Sequence, residues 1–406
     1  MTSPHILQPL ETCRTISIIG AGVMGREIAA VALRAGLAVR LNDANVDCAE
    51  AAVQSLRESI RTGGNSSPSG DSTDADNRVR VATEQADIAD ADLILEAVTE
   101  NIDIKSGILS GIEPHLAGGT ILASNSSSLS MTELSRSLKN PGRFCGLHFC
   151  HPVSERLLVE IVTTNSTSTE TRDRAHAFAS GLGMFPFVVR DSPGFLLNRL
   201  LVPFLNEALE LLLDGAAIET LDSAASDFGL PHGPLRLFDE FGIDVAIAVG
   251  RSLYRAFPDR IVPSELLIAM YKSKRLGRKA GGGFYRDGEV DPVVIELIQE
   301  RRRTSNPLSD VVVRHRLFLP MLLEATRTLS ESLADNLATV DDVLRKGLGM
   351  TCPDSGIFAW ANRIGLSNMI DRLRPLQKLG QRFEPTALLL EHAANGTDFS
   401  NTRSAA

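Results

Sequence analysis

Short apolar runs alternate with amphipathic helical stretches over residues 15–190 of this chain. Runs at 16–19, 38–43, 93–98, 120–124, 143–149, 157–162 and 187–190 are rich in β-branched and aromatic residues and predict strands. Stretches such as 102–116 between them carry apolar positions at helical spacing. That alternation predicts a doubly wound, mostly parallel sheet. Asp191-Ser192-Pro193-Gly194 then punctuates the chain, and everything beyond it is helical in period. Residues 62–77 fit neither pattern. They are glycine, serine, asparagine and aspartate with almost nothing apolar, which predicts a mobile loop.

The helical part contains an internal repeat. Asn198-Arg199-Leu200-Leu201-Val202-Pro203-Phe204-Leu205-Asn206-Glu207-Ala208 matches His315-Arg316-Leu317-Phe318-Leu319-Pro320-Met321-Leu322-Leu323-Glu324-Ala325. Further on, Thr220-Leu221-Asp222 is echoed by Thr339-Val340-Asp341. Between the copies, residues 276–285 (LGRKAGGGFY) read as a flexible closing segment of the first.

The first strand runs straight into Gly20-Ala21-Gly22-Val23-Met24-Gly25, with glycines at GxGxxG spacing. Gly20 permits the tight turn, Gly22 lets backbone approach a pyrophosphate, and Gly25 lets the following helix pack on the strand. That helix aims free N–H groups at the anion. The second strand ends in Asp43, at the distance where a ribose diol is gripped; its charge would repel a 2′-phosphate, so NAD is expected over NADP. The expected fold class is α/β: a Rossmann-type doubly wound sheet at 14–191, followed by two all-α helical domains from the repeat, at 192–290 and 291–406.

Charge and cysteine content narrow the partners. The net charge is −9, with no Lys/Arg stripe, which argues against nucleic acid and leaves an anionic substrate dependent on local basic residues. Five cysteines without a CxxC pair suit a reducing compartment. Nothing near Met1 resembles a signal peptide and no apolar run has membrane-spanning length, so a soluble cytoplasmic protein without membrane contact is expected.

Three places can carry chemistry. His148 ends an apolar strand, and twelve residues later Glu160 interrupts the next one, Leu157-Leu158-Val159-Glu160-Ile161-Val162. A carboxylate among branched apolar neighbours is costly to bury unless paired, and a histidine held by it is a competent general base. A satisfied core histidine with an edge-strand glutamate facing water stays open beside that reading. Ser124-Asn125-Ser126-Ser127-Ser128 follows a strand whose end faces the crevice of such a sheet. It suits either a substrate oxygen and nicotinamide or a helix N-cap from Ser128 or Ser130. Asn198, polar beside a leucine-rich face, is replaced by His315 in the second copy and so looks specific to a site rather than to the fold. Cys145, His148, Cys150 and His151 crowd together, but strand alternation divides them and zinc spacings are absent, so no metal site is expected.

Together these pieces resemble the 3-hydroxyacyl-CoA dehydrogenase family, and within it the dehydrogenase part of the multifunctional fatty-acid oxidation α-subunit, which also carries two helical copies. The motifs are GAGVMG, Glu100 followed by Lys105, SNSSSL, HFCHP, LVEI, DSPGFLLNR, GRKAGGGFY and RFEPTALLLEHA, covering nearly the whole chain. No crotonase-like hydratase segment precedes them, so the chain is expected to be the dehydrogenase unit standing alone. The resemblance implies NAD-dependent oxidation of (S)-3-hydroxyacyl-CoA to 3-oxoacyl-CoA in β-oxidation or related acyl-CoA metabolism. It makes His148 the catalytic base, Glu160 its orienting partner, and Ser127 and Asn198 the contacts to the reacting oxygen and thioester region. Gly20, Gly22, Met24, Gly25, Asp43, Glu100, Lys105, Asn125, Ser127, His151 and Lys279 would line the NAD site, with Lys105 also supplying local positive charge.

Three departures stand out. His151 replaces an asparagine that touches NAD in the family. Residues 62–77 replace part of a helical hairpin that clamps CoA. Trp360 stands where the multifunctional enzymes have a tyrosine near the substrate. A non-catalytic scaffold or crystallin-like relative, and a dehydrogenase of a 3-hydroxy acid lacking CoA, are the competing readings. Short family members pair two chains through one helical domain each; here the second copy can cover that face, so a monomer is expected, with association with other β-oxidation enzymes left open.

Overall fold

The computed structural model describes residues 13–62, 77–304, 306–350 and 356–399, and the chain divides after Asp191 into two compact units. The predicted loop at 62–77 lies, apart from its end residues, outside the described residues.

The first unit is built on an eight-stranded sheet: β1 (Thr15–Ile19), β2 (Ala38–Asn42), β3 (Val79–Val81), β4 (Leu93–Glu96), β5 (Ile121–Ser124), β6 (Phe144–Phe149), β7 (Leu158–Thr163) and β8 (Phe185–Arg190). The order is β3-β2-β1-β4-β5-β6-β7-β8. Pairing is parallel throughout except between β6 and β7, which run antiparallel. The exception has a simple cause. Only eight residues separate β6 from β7, enough for a hairpin but not for the crossover that a parallel pair needs. Strands β4, β5 and β6 are buried along their whole length, as expected where helices cover both faces. Ile16, Ile18, Leu41, Leu95, Ala123 and Leu147 form part of one continuous core.

Chain order reverses between β1 and β4, so the loops leaving their C-terminal ends diverge and open a crevice at the switch point. Strand β3 went unpredicted. Three residues with exposed Arg80 at their centre give too short a pattern to read. The predicted helix at 102–116 ends at Ile112, and Glu113–His115 tightens into a 3-10 turn at Pro114, which lacks the N–H to continue.

In the second unit the two repeat copies meet along the helices Leu197–Leu213 and Asp310–Ser330. Phe204 stacks on Phe318 at 5.3 Å between ring centres. Arg199 donates to Glu324 at 3.0 Å, and its repeat equivalent Arg316 donates to Glu207 at 2.6 Å, so each copy's arginine takes the other copy's glutamate. Those crossed pairs require an antiparallel packing with approximate twofold symmetry. They explain why Arg and Glu recur at one spacing, since both are buried and a buried charge needs its partner in place. The two helical copies expected from the repeat pack into one compact unit.

The region beyond Asp191 is not wholly helical. Tyr285–Arg286 pairs antiparallel with Glu289–Val290. Nor do the glycines of 276–285 serve flexibility. Asp239 accepts hydrogen bonds from Phe284 N at 2.7 Å and Tyr285 N at 2.8 Å, and a Cβ added at Gly283 would fall 1.9 Å from its Oδ1. Close backbone approach to a buried carboxylate is what requires glycine there.

Candidate active site

His148 and Glu160 stand directly opposite each other in the β6–β7 register. Facing residues of an antiparallel pair share a face, which brings His148 Nδ1 to 2.7 Å from Glu160 Oε2 with both side chains buried. The edge-strand alternative for Glu160 is thereby excluded, because β8 covers the far side of β7. His148 Nε2 lies 3.1 Å from Ser127 Oγ. A carboxylate on one ring nitrogen and a hydroxyl on the other fix the ring's orientation and suit it to accept a proton at Nε2.

Ser127 belongs to the turn after β5. The capping alternative for this segment falls to Ser130, whose hydroxyl accepts from Glu133 N at the start of the helix Met131–Ser135. Asn125 ties the turn to β6, its Oδ1 accepting from Phe149 N at 3.1 Å. Glu100 accepts from Ser126 Oγ at 2.6 Å, Ser127 N at 3.0 Å, Ser128 N at 2.8 Å and Ser128 Oγ at 2.9 Å.

Lys105 does not stand open as the local positive charge expected of it. Asn101 caps the helix Ile102–Ile112, accepting from Asp103 N and Ile104 N, and the first turn aims Lys105 into the sheet. There it is fully buried. Its ammonium donates to Glu96 Oε1 at 2.8 Å and Oε2 at 3.0 Å, to Asn125 O at 3.2 Å and to Val98 O at 3.3 Å. It supplies no open positive charge for an anionic substrate, because Glu96 balances it inside the protein. Glu96, which also accepts from Ser124 Oγ at 2.6 Å, was missed in the sequence. The signal was there: like Glu160, it is a carboxylate in an apolar strand.

The glycine turn fits a dinucleotide. Gly20 has φ +116°, and a Cβ there would meet Ala97 O at 2.6 Å; a Cβ on Gly25 would fall 1.9 Å from Gly20 O. Gly22, by contrast, has open space where its Cβ would be, leaving backbone accessible to a phosphate. The helix Val23–Arg34 starts without a side-chain cap and without an acid in its first turn, so its N–H groups remain available to an anion. Met24 packs against the sheet core. Asp43, half-buried just past β2, accepts from Ala21 N at 2.8 Å and Asn45 N at 3.0 Å, which sets its carboxylate at the turn. His151 turns its Nδ1 to Glu27 Oε2 at 3.1 Å, and the same oxygen accepts from Val153 N at 2.8 Å. Partial burial pushes the Glu27 carboxyl up, but His151 and Val153 outweigh it and hold it below the ordinary value.

In the second unit, Asn198 is the half-buried second residue of its helix. Lys279 pairs with Asp244 at 2.7 Å on the surface. Trp360 is buried, edge-on to Phe228 at 5.9 Å and Phe318 at 6.0 Å, within the aromatic core that joins the two copies.

Residues 15–192 match the family described as 3-hydroxyacyl-CoA dehydrogenase, NAD binding domain, and residues 194–287 match its C-terminal domain. The fatty acid oxidation complex subunit alpha of Pseudomonas syringae pv. syringae (strain B728a) is 32% identical over 400 residues, covering 94% of this chain and 55% of that protein. This chain thus spans about half the length of the curated relatives it matches. Among solved structures, 3-hydroxybutyryl-CoA dehydrogenase from Escherichia coli K12 is 25% identical with a TM-score of 0.80, covering 95% of this chain and 99% of that one. (S)-3-hydroxybutyryl-CoA dehydrogenase from Ralstonia eutropha is 35% identical with a TM-score of 0.62, covering 68% of this chain and 99% of that one.

Proposed function

Because this chain belongs to the 3-hydroxyacyl-CoA dehydrogenase family and carries its NAD-binding domain, we propose that it oxidises (S)-3-hydroxyacyl-CoA to 3-oxoacyl-CoA. The observation that carries this reading is the chain Glu160–His148–Ser127, at 2.7 and 3.1 Å, at the C-terminal ends of β5 and β6. When bound, NAD supplies the acceptor for the hydride leaving C3.

The protein's part is proton transfer and alignment. His148 Nε2 takes the proton of the 3-hydroxyl as the carbonyl forms. The imidazolium so made has Glu160 as its counter-charge, in a buried setting where that attraction is little screened. Ser127 Oγ, within reach of the same nitrogen, aligns the substrate oxygen. A role for Asn198 in substrate contact is supported by its replacement with His315 in the second copy.

Association with other β-oxidation enzymes belongs to this proposal, supported by relatives that are subunits of a fatty acid oxidation complex. Among the described residues no helix is long and apolar enough to cross a membrane. A cytoplasmic setting is also proposed, supported by the free Cys13, Cys48, Cys145 and Cys150.

The deciding experiment follows NADH formation across a series of 3-hydroxyacyl-CoA lengths and the matching free 3-hydroxy acids. Turnover restricted to the thioesters is the expected result. Equal turnover of free acids would favour a dehydrogenase of non-CoA substrates, and none with either would favour a scaffold.

A further inference from the structure

Two histidines stand three residues apart, one in β6 and one just past its end, and each has Nδ1 on a carboxylate. His148 meets Glu160 at 2.7 Å and His151 meets Glu27 at 3.1 Å. Their second nitrogens differ. Nε2 of His148 lies against Ser127 Oγ, whereas among the described residues no group takes up Nε2 of His151.

Glu27 sits in the second turn of the helix Val23–Arg34, which begins at the glycine turn. Its Oε2 also accepts from Val153 N at 2.8 Å, and Val153 is fully buried in the sheet core. The carboxylate therefore ties the glycine-turn helix to the turn between β6 and β7, with the His151 ring between them. An ionised carboxylate accepts only, so His151 Nδ1 carries the proton, and the neutral ring is left with Nε2 as an acceptor. The place of that acceptor matters. A dinucleotide with its phosphates on the glycine turn must bring its nicotinamide to His148, where the substrate hydroxyl loses its proton. His151 is joined to both ends of that path, through Glu27 to the helix and through three residues of chain to His148.

We propose that Glu27 is a positioning residue for the cofactor: it holds His151 by Nδ1 so that Nε2 accepts a hydrogen bond from the nicotinamide riboside half of NAD, from its carboxamide N–H or a ribose O–H. This deepens the NAD-dependent oxidation proposed above and rests on it.

The test measures binding rather than turnover. Calorimetric titration of the full chain compares NAD with ADP, which keeps the phosphates and lacks the nicotinamide riboside. His151→Ala and Glu27→Ala should each raise Kd for NAD about tenfold and leave Kd for ADP within about twofold of the original. The double variant should be no weaker than His151→Ala alone, because Glu27 acts through the ring. Glu27→Gln keeps an oxygen for both donors and should bind NAD within about threefold of the original. In the ligand-free protein, at a pH where the ring is neutral, the 15N shifts of His151 should report the proton on Nδ1, and Glu27→Ala should move it towards Nε2.

Equal losses of NAD and ADP would overturn the proposal, since Glu27 would then only support the glycine-turn helix. So would multiplicative losses in the double variant, a Glu27→Gln as weak as Glu27→Ala, or a proton already on Nε2 in the unaltered chain. A chain that binds no NAD would overturn this proposal and the functional one together. A chain that binds NAD but oxidises no 3-hydroxyacyl-CoA would overturn the functional one alone, and the titrations would still decide the part of Glu27. Should Glu27→Ala not fold, Glu27→Asp carries the same comparison, since it withdraws the carboxylate from the ring by one methylene.

Discussion

His148 and Glu160 face each other across the antiparallel β6–β7 junction, Nδ1 to Oε2 at 2.7 Å. If Glu160 holds the ring and balances its charge, Glu160→Gln removes the counter-charge while leaving an oxygen to accept. The expected result is a fall in kcat of about 10²-fold or more, with NAD affinity preserved. Steady-state kinetics with a fluorescence titration of the cofactor measures both, and a kcat near the original would take Glu160 out of the mechanism.

Asp43 bears on the choice of cofactor. Its carboxylate is fixed beside the glycine turn by Ala21 N and Asn45 N, where a 2′-phosphate would meet negative charge. NAD should be used well ahead of NADP, and Asp43→Asn should narrow that preference. Comparable kcat/KM for the two cofactors in the unaltered protein would show that Asp43 does not read the ribose.

Lys105 and Glu96 are both fully buried, so removing one leaves the other uncompensated. Lys105→Met should cost about 3–5 kcal/mol of stability. Adding Glu96→Gln should recover part of that loss, because no bare charge then remains. Urea unfolding of the three variants provides the comparison, and additive losses in the double variant would mean the two residues are not paired in solution.

Asp239 gives a pH signature. Burial pushes its carboxyl up to about 6, against the hydrogen bonds from Tyr285 and Phe284, while its ordinary value is 3.8. The fold thus favours the protonated acid. That contribution is complete below about pH 4 and is lost as pH rises through about 6, amounting to about 3 kcal/mol at most. Asp239→Asn should remove this component. The change in unfolding midpoint between pH 4 and pH 7 should therefore differ between the two proteins, and identical pH profiles would contradict the assignment.

Association state follows from the repeat. Phe204 and Leu205 are buried within the chain, and Phe204 stacks on Phe318 of the other copy, so the face that short relatives are expected to use for pairing is already covered. A monomer should be seen by light scattering, and a stable dimer joined through the Leu197–Leu213 helix would refute this.

The His148–Glu160 pair was legible because a carboxylate in an apolar strand demands a partner, and a spacing of twelve residues across a hairpin restricts where that partner can be. The glycine turn was legible because Gly20 and Gly25 answer steric needs and Gly22 leaves backbone open to an anion. Lys105 was not. Its partner Glu96 lies on a strand whose neighbours are set by sheet order, which no local pattern reports. The aromatic surroundings of Trp360 were not legible, because they depend on the packing of the two copies. The repeated arginine and glutamate were visible as a spacing, but their meaning lay in the crossing: each answers the other copy, a relation that appears only once the helices lie antiparallel.

That crossing has a consequence for how the chain behaves as it is diluted. Two separate chains held by the same contacts would come apart as their concentration fell, and their folded state would depend on how much protein was present. Joined in one polypeptide, Arg199 meets Glu324 and Arg316 meets Glu207 at an effective concentration set by the connecting chain alone. Their encounter is first order, and dilution cannot weaken it.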